Sequence, residues 1–377
     1  MGRTREHNED AFVVADLTRG NATLQPEVRT HEVGDRGTLF MVADGMGGAA
    51  AGEIASAMAI EVVLQELSDA LTAADAPDKE TYATGLKRAT ATANSQIHNF
   101  ALEHPEYRGM GTTATIAAVL ADTLFLAQVG DSRAYLVRGG VAMQITKDQS
   151  LMQKLIEAGE ITEEEAEQSE RRNIILQALG PEAQIRIDLT HQQLRSNDTL
   201  IICSDGLSGQ VRIDEIARVV TEEPDLIAVC KRLIERANEN GGPDNITVIA
   251  ARFEGDGLIA PESGDNVGHS VFPLDGDSGQ TPAAPIRAVD PSDVPTRELP
   301  ADTRRSTLKL PSLELPFSGL DTRPQVSPTR RLRGSLIALA LVIVFLALAT
   351  WWTYRAAEKL APKVGETSAP VTPKPKP

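Results

Sequence analysis

Residues Ala114–Thr146 read ATIAAVLADTLFLAQVGDSRAYLVRGGVAMQIT, a series of apolar runs separated by short polar or glycine-containing breaks. The runs are short and contain β-branched and aromatic residues, which favours strands over helices. The breaks at Ala121-Asp122 and Gly139-Gly140 have the length of tight hairpin turns. The stretch therefore predicts an antiparallel meander with strands at Ala114–Leu120, Thr123–Val129, Arg133–Val137 and Val141–Ile145.

Similar apolar runs and longer helical patterns flank this meander. The short runs predict strands at Thr38–Ala43, Thr199–Cys203 and Ile246–Phe253. The longer segments predict helices at Ala49–Leu71, Lys79–Glu103, Ser150–Ala158 and Ile213–Asn238. Because strands follow one another locally and helices are grouped apart, the pattern indicates an α+β fold, an antiparallel β-sandwich flanked by helices.

The composition of the 377-residue chain restricts its functional class. A formal net charge of −16 argues against a nucleic-acid-binding surface, which needs a basic patch, and makes cations plausible ligands. Cys203 and Cys230 lie in apolar runs without metal-binding or redox spacing, which indicates small core residues in a reducing compartment. The charged N-terminus lacks the features of a cleavable secretory signal.

Composition also divides the chain into regions. Residues 1–253 mix apolar runs and helical periods in the manner of a globular domain. Residues 254–329 are rich in Pro, Asp, Ser and Gly and poor in aromatic residues. A segment of this kind buries too little apolar surface to fold, so it predicts a disordered acidic linker.

Residues 335–354 carry no charge and are long enough to cross the hydrocarbon of a bilayer. Arginines cluster just before this segment, and Trp351 and Trp352 lie near its end, as at membrane interfaces. A buried core helix is the alternative, but no further domain follows to bury it. We therefore predict one transmembrane helix that holds the protein at the cell membrane, a cytoplasmic N-terminal domain and a short extracytoplasmic tail at residues 355–377.

Four aspartates lie at the ends of predicted strands beside glycine or other small residues: Asp44, Asp131, Asp205 and Asp244. Strand ends of a sandwich share an edge, so these carboxylates are expected to converge. Burying converging carboxylates without a counter-charge costs several kcal/mol. The pattern predicts a site for the hard cations Mn²⁺ or Mg²⁺, which take oxygen ligands, and the Gly45 carbonyl is a further candidate ligand.

An alternative for the same region is dinucleotide binding, because residues 45–50, GMGGAA, fit the GxGxxA pattern. That fold requires a second parallel strand after the helix. Here the helix is followed by a loop and another long helix, so no β-α-β unit forms and this alternative is disfavoured.

The N-terminal stretch RTREHNEDAF, residues 3–12, adds charged candidates. Glu9 and Asp10 are suited to binding a metal directly or through water, and the planar fork of Arg5 is suited to binding an oxyanion. An arginine beside carboxylate-bound metal ions indicates a phosphate ester as substrate. A solvated charge cluster at the terminus is the plainer alternative.

Six motifs together resemble one family. They are Arg5-x-x-Asn8-Glu9-Asp10, Asp44-Gly45-Met46-Gly47-Gly48, Gly109-Met110-Gly111-Thr112-Thr113, Val129-Gly130-Asp131-Ser132-Arg133, Ser204-Asp205-Gly206-Leu207 and Pro243-Asp244-Asn245. In this order they resemble the bacterial form of the metal-dependent protein phosphatases (PPM, or type 2C Ser/Thr phosphatases). The resemblance spans residues 1–253 and implies a β-sandwich with helices on both outer faces.

The resemblance also implies a metal centre. Asp44 would bridge two Mn²⁺ or Mg²⁺ ions, and the Gly45 carbonyl would bind one of them. Asp205 and Asp244 would hold the other ion, and Asp131 with Asp205 would hold a third. The water between the two ions would attack phosphorus in line, since metal binding lowers its pKa.

The remaining motif residues have supporting roles by the same resemblance. Glu9 and Asp10 would act through bound waters, and Arg5 would bind the phosphoryl oxygens of the substrate. Asn245 would orient the neighbouring metal ligand.

The chain departs from the family pattern at several positions. Many eukaryotic members have a histidine general acid where Met46 stands, and bacterial relatives usually have histidine where Gln149 stands. The His-Pro pair that often precedes the arginine and asparagine of the flap is Ser169-Glu170 here. The flap, at about residues 150–175, is therefore where we expect substrate choice to differ.

The combined expectation is a membrane-tethered Ser/Thr phosphatase that acts on phosphorylated proteins. The resemblance implies that it opposes a membrane Ser/Thr kinase. Two other classes stay open: a catalytically silent phosphoprotein-binding module and a metal hydrolase of small phosphoesters. Hydrolysis of phosphopeptides and of nucleotides would distinguish them.

Overall fold

The computed structural model describes residues 2–20, 24, 30–73, 77–262 and 265–274. The predicted membrane helix at residues 335–354 and the predicted tail lie outside the described residues. So does the part of the predicted linker that follows residue 274. Within the described ranges, no helix is both long enough and apolar enough to cross a bilayer.

The strands form two antiparallel sheets in the described part of the chain. The first sheet has the order β1-β2-β4-β5-β8, with β3 paired to β2, and the second has the order β10-β9-β6-β7. The strands are β1 Asp10–Asp16, β2 Thr38–Met46, β3 Gly111–Thr112, β4 Ala114–Leu120, β5 Thr123–Val129, β6 Arg133–Arg138, β7 Val141–Gln144, β8 Asp188–Gln193, β9 Thr199–Cys203 and β10 Val248–Arg252. The four strands predicted over residues 114–145 are confirmed, but they form two hairpins in different sheets, β4–β5 in the first and β6–β7 in the second, and not one continuous meander.

Helices cover the outer faces of both sheets. Helices α1 Ala49–Thr72 and α2 Lys79–Glu103 pack on the first sheet, and α5 Asp205–Ser208, α6 Ile213–Glu222 and α7 Leu226–Glu239 pack on the second. The short helices α3 Leu151–Glu157 and α4 Glu163–Glu167 lie in the flap. In β2, Leu39 and Met41 pack with α1 and α2, whereas Phe40 faces the second sheet. In β9, Ile201 packs with α6 and α7, and Ile202 faces the first sheet. This alternation produces four layers, and the predicted sandwich with helices on both faces is confirmed.

Several elements differ from the sequence prediction, and the short elements β3, α4 and α5 were not predicted. Strands β1 and β8 were not predicted, because β1 follows a charged segment and β8, DLTHQQ, is mostly polar. The single helix predicted at Ile213–Asn238 is two helices, broken at Pro224. Proline disfavours helical geometry in the preceding residue, and Glu223 is accordingly extended, with φ −105° and ψ 112°.

Both cysteines are free thiols. Cys203 is buried and Cys230 is half-buried. Burial raises the pKa of the Cys203 thiol to about 12 and that of Cys230 to about 11. Both thiols therefore stay neutral at physiological pH, as expected of core residues.

The folded domain continues past residue 253, where composition had set its end. The backbone N–H of Phe272 donates to Leu189 O at 2.9 Å, and that of His191 donates to Ser270 O at 2.9 Å. The Phe272 ring packs against Phe125, with ring centroids 5.5 Å apart. Phe125 belongs to the core between the first sheet and helices α1 and α2. Residues 254–274 were assigned to the linker because their composition is polar, but a few apolar side chains and backbone hydrogen bonds hold the described part of this segment on β8.

Truncation tests this boundary. We expect the chain ended at residue 253 to unfold roughly 5 °C below the chain ended at residue 274, because it loses the Phe272 contact and the hydrogen bonds to β8. Thermal unfolding followed by circular dichroism measures the difference. Phe272→Ala in the longer chain should reproduce part of the loss, and equal midpoints for the two truncated chains would contradict the boundary.

Candidate active site

The two sheets bring the predicted carboxylates together at one edge of the sandwich. Asp10 lies directly opposite Asp44 in the β1–β2 register. Asp131 follows β5 of the same sheet. From the second sheet, Asp205 opens α5 immediately after β9, and Asp244 lies in the loop before β10. Residues more than two hundred positions apart in the sequence thus contribute to one acidic cluster.

The electrostatics show that these groups interact. Burial raises the pKa of the Asp44 carboxyl well above its usual value, and the surrounding aspartates Asp10, Asp205, Asp131 and Asp244 raise it further. A like charge nearby makes ionisation of a carboxyl more costly. The cluster therefore favours protonated carboxyls at neutral pH unless a cation offsets the charge.

The neighbouring carboxyls shift in the same direction. Burial, with Asp244 and Asp10, raises the pKa of Asp205 to about 6. Burial, with Asp205, raises the pKa of Asp131 to about 8. The pKa of Asp10 is also raised, mainly by burial.

Two carboxylate oxygens in the cluster lack hydrogen-bond donors, which bears on whether a cation fits there. In the described residues, Asp10 Oδ1 and Asp131 Oδ1 are buried and have no hydrogen-bond partner. Buried carboxylate oxygens without a donor are suited to a hard divalent cation. In the described part of the chain, no group of three or more His, Cys, Asp or Glu side chains is already arranged to hold one metal ion.

Hydroxyl side chains fix the position of Asp10, a feature that the sequence prediction missed. Asp10 Oδ2 accepts hydrogen bonds from Ser204 Oγ at 2.8 Å and from Thr247 Oγ1 at 2.7 Å. Ser204 directly follows β9 and Thr247 directly precedes β10, so the two hydrogen bonds tie the second sheet to β1. The signal that could have identified them is their position, Ser204 directly before Asp205 and Thr247 two residues after Asn245.

Arg5 lies at the mouth of the cluster. Its Nη2 donates to Asp244 Oδ2 at 2.7 Å, and its side chain is 48% exposed. A cleft of about 350 Å³ is lined by Arg5, Glu6, His7, Glu9, Asp44, Gly45, Met46, Gly47, Gly48, Asn173, Ile175, Asp205 and Asp244. Asp10 and Asp131 are buried and are not among the lining residues.

Asn245 has a broader role than orienting one ligand. Its backbone N–H donates to Asp244 Oδ1 at 2.8 Å. Its side-chain Oδ1 accepts from the backbone N–H of Glu9 at 2.9 Å, and its Nδ2 donates to His7 O at 2.9 Å. Asn245 thus fixes the N-terminal segment that carries both Arg5 and Glu9.

Gly45 is required by close packing. A Cβ atom there would lie 2.2 Å from Gly52 O of α1 and 2.6 Å from Glu9 O. No side chain fits between β2 and the start of α1. The glycine next to Asp44 therefore allows α1 and the N-terminal segment to approach the cluster.

The flap is a closed loop beside the cleft. Its ends are joined by the backbone N–H of Leu151, which donates to Ile174 O at 2.9 Å, and by that of Leu176, which donates to Gln149 O at 2.8 Å. Asn173 lines the cleft, whereas Arg172 is exposed and donates to Glu167 O at 3.3 Å within the flap. The flap therefore contributes Asn173 to the site in this structure.

A family model described as Protein phosphatase 2C matches residues 19–249. The chain belongs to the protein phosphatase 2C family. The matched range includes the Asp44, Asp131, Asp205 and Asp244 motifs, and the Arg5 motif precedes it. The predicted family and enzyme class, a serine/threonine protein phosphatase, are confirmed.

Relatives of this phosphatase 2C protein include several bacterial phosphatases. Serine/threonine phosphatase stp of Listeria monocytogenes is 36% identical over 248 residues, covering 66% of this chain and 91% of that protein. Serine/threonine protein phosphatase PstP of Mycobacterium tuberculosis is 40% identical over 213 residues, covering 56% of this chain and 40% of that protein.

Solved structures of the family superpose on the same region. The S. agalactiae serine/threonine phosphatase has a TM-score of 0.58 at 33% identity and covers 68% of this chain and 96% of that chain. The catalytic domain of PstP in complex with 2 manganese ions has a TM-score of 0.54 at 35% identity, covering 67% of this chain and 95% of that chain. The PstP complex supports manganese dependence in the protein phosphatase 2C family.

Proposed function

We propose that this protein hydrolyses phosphoserine and phosphothreonine in proteins with the help of bound Mn²⁺ or Mg²⁺. One observation carries the proposal: in a single cleft, the guanidinium of Arg5 lies against an acidic cluster whose carboxyls have raised pKa values. A phosphate ester needs a positive group for its oxygens and metal ions beside the reacting phosphorus. This cleft offers a cation and a set of metal ligands at the same place.

The acidic cluster supplies the ligands for the metal ions. Asp44 would bridge two ions, with the Gly45 carbonyl on one and Asp205 and Asp244 on the other. Asp131, together with Asp205, would hold a third ion, and its partnerless Oδ1 in the described structure supports that role. Bound Mn²⁺ or Mg²⁺ would supply Lewis acidity and a water nucleophile that is available near neutral pH.

The other groups orient the substrate and the metal site. Arg5 would bind phosphoryl oxygens while keeping its contact with Asp244, because a guanidinium offers five N–H donors. Glu9 and Asp10 would act through water, and Asp10 is already oriented by two hydroxyl donors. Met46 lines the cleft but has no ionisable proton, so it does not serve as the general acid.

Membrane attachment and a kinase partner belong to the same proposal. Both rest on the apolar composition of residues 335–354 and on the family resemblance. A domain tethered to the cell membrane would meet membrane-bound phosphoproteins at high effective concentration. A membrane Ser/Thr kinase and its substrates are therefore the proposed targets, and a fractionation experiment on cells that express the full chain would show whether the protein sediments with membranes.

Hydrolysis assays on the full chain test the proposed activity. A phosphothreonine peptide, a phosphoserine peptide and a nucleoside triphosphate would each be incubated with the protein, with Mn²⁺ or with EDTA. We expect Mn²⁺-dependent release of phosphate from both peptides and little from the nucleotide. Preference for the nucleotide would favour a hydrolase of small phosphoesters, and binding of phosphopeptides without turnover would favour a silent binding module.

Arg5→Lys tests the phosphate-binding role. We expect KM for the phosphothreonine peptide to rise about tenfold, because lysine keeps the charge but loses the bidentate fork. The value of kcat should change much less, since the metal ligands stay in place. Steady-state kinetics at saturating Mn²⁺ measures both parameters.

Arg3 offers a matched control, because it is exposed and is not among the cleft-lining residues. Arg3→Lys should leave KM and kcat unchanged. A KM for Arg5→Lys equal to that of the unaltered protein would show that Arg5 does not bind the substrate phosphate.

A further inference from the structure

Gln149 lies where the base of the flap meets the turn that carries Asp131. Its Oε1 accepts from the backbone N–H of Gly130 at 3.0 Å, and its Nε2 donates to Arg186 O at 3.1 Å. Its backbone N–H donates to Gly130 O at 2.9 Å, while its carbonyl accepts from Leu176 N–H at the flap end. Gln149 therefore contacts the Asp131 turn and the flap end at the same time.

The turn is held from its other side by a second amide side chain. Gln128 is buried, and its Nε2 donates to Gly130 O at 3.1 Å and to Ser132 O at 2.8 Å. Gly130 has φ +102°, which favours glycine, and a Cβ there would lie 2.7 Å from Thr113 Cγ2. The backbone on both sides of Asp131 is thus fixed by Gln128 and Gln149.

The same hydrogen bonds continue toward Asp44. The hydroxyls of Thr113 and Ser132 are hydrogen-bonded at 2.8 Å, and Thr113 Oγ1 accepts from the backbone N–H of Asp44 at 3.0 Å. A contiguous polar network therefore runs from the base of the flap, past Asp131, to Asp44. Buried networks of this kind hold groups in one arrangement when every member is satisfied.

The position of the Asp131 carboxylate depends on this backbone more than the position of the Asp10 carboxylate does. Ser204 and Thr247 donate to Asp10 Oδ2 and hold that carboxylate, although its Oδ1, like Asp131 Oδ1, has no hydrogen-bond partner in the described residues. The position of the Asp131 carboxylate is consequently set by the turn at Gly130. Loss of the Gln149 amide would leave the Gly130 N–H and the Arg186 carbonyl without this partner and would let the turn shift.

We propose that Gln149 is a positioning residue that joins the Asp131 turn to the flap and thereby sets the affinity of the Asp131 side of the cluster for a divalent cation. The proposal rests on the function proposed above, because it requires the cluster to bind Mn²⁺. It assigns a role to a position where the bacterial family pattern has histidine, which also offers a donor and an acceptor.

Calorimetric titration of the full chain with Mn²⁺ tests the proposal. Gln149→Met keeps the length of the side chain but removes its three hydrogen bonds, to Gly130 N–H, Gln128 O and Arg186 O. We expect it to weaken the weakest Mn²⁺-binding step about tenfold. The dissociation constants of the tighter steps should stay within about twofold of those of the unaltered protein, since Asp44, Asp205 and Asp244 do not contact Gln149. Gln149→His should restore the weak step.

Gln193→Met is the matched control. Gln193 is exposed on β8, and its Nε2 donates to a backbone carbonyl, Asp122 O, at 3.0 Å. This variant should reproduce the Mn²⁺ titration of the unaltered protein. Thermal unfolding of each variant shows whether it is folded.

Two results would overturn the proposal. One is a Gln149→Met titration equal to that of the unaltered protein. The other is an equal weakening of all binding steps with a lower unfolding temperature, which is the result of a purely structural role. A failure of the unaltered protein to bind any Mn²⁺ would instead overturn the proposed function itself, and this inference with it.

Discussion

Asp44→Asn is expected to lower kcat/KM for a phosphothreonine peptide by on the order of 10³-fold or more, because it removes the carboxylate shared by the proposed metal ions. The same substitution should leave the metal-free domain at least as stable as before. Asparagine has nearly the same shape, and it removes a carboxyl whose pKa is raised by burial and by its acidic neighbours. Activity and stability should therefore move in opposite directions, which separates a functional role from a structural one. Steady-state kinetics and thermal unfolding in EDTA measure the two effects.

Asp122→Asn is a suitable control for this experiment. Asp122 lies in the turn between β4 and β5, is partly exposed and pairs with Lys79 at 3.6 Å. Surface pairs of this kind contribute little to stability, so the variant should keep full activity. Turnover by Asp44→Asn within about tenfold of the unaltered protein would rule out Asp44 as the bridging ligand.

The second large effect concerns pH and metal binding. Without metal, the domain is expected to lose stability as pH rises from 6.5 to 8. The pKa of Asp131 is raised to about 8, and that of Asp44 is raised well above its usual value, so the folded state binds protons that the unfolded chain has released. Where the folded state binds more protons, stability falls with rising pH until the folded pKa is passed.

Other titrating groups have little effect in this window. The pKa of His191 is lowered by burial, so its contribution changes below its ordinary value of 6.5. The pKa of Asp265 is lowered to about 2 by the Arg195 guanidinium, which places its titration in strong acid. The carboxyl cluster should therefore dominate the slope between pH 6.5 and 8.

Bound Mn²⁺ should reverse the loss of stability between pH 6.5 and 8, because the metal ion replaces protons in offsetting the negative charge of the carboxylates. At a concentration of 100 times its Kd, a ligand that binds only the folded state adds about 2.7 kcal/mol, which corresponds to several degrees for a domain of this size. The increase in unfolding temperature caused by Mn²⁺ should be larger at pH 8 than at pH 6.5, since fewer protons must leave the carboxyl cluster when the metal binds. Thermal unfolding at both pH values, in EDTA and in Mn²⁺, measures the effect.

Asp131→Asn provides the control for the pH experiment and should flatten the metal-free slope. A domain that becomes more stable toward pH 8 in EDTA would show that the cluster is not charged in the way described. Equal Mn²⁺ shifts at the two pH values would show that metal binding and proton release are not coupled.

Much of the fold and of the candidate site could be predicted from local sequence. The apolar residues of β2 and of the β4–β5 and β6–β7 hairpins identify strands, since each side chain must face either helices or the opposite sheet. Asp44, Asp131, Asp205 and Asp244 could be recognised because each lies at the end of such a strand, next to small residues. The cluster they form then follows from the geometry of a sandwich edge.

Other features could not be predicted because they depend on contacts between distant parts of the chain. The alignment of Asp10 with Asp44 follows from the register of β1 on β2, and β1 was itself not predicted. The hydrogen bond from the Glu9 backbone N–H to Asn245 Oδ1 joins residues 236 positions apart. Local sequence patterns do not show which residues so far apart in the chain come into contact.

The sequence by itself determined most of the apolar strands, the family motifs and the acidic character of the site, since these depend on residue type and spacing. Only the tertiary structure decided that the segment with Ser270 and Phe272 contributes to the domain through its packing on β8. It also decided that the Gln149 amide reaches the Gly130 turn. The physical reason is that a hydrogen bond or a ring contact needs atoms within a few ångströms of each other, and only the assembled sheets bring these residues that close.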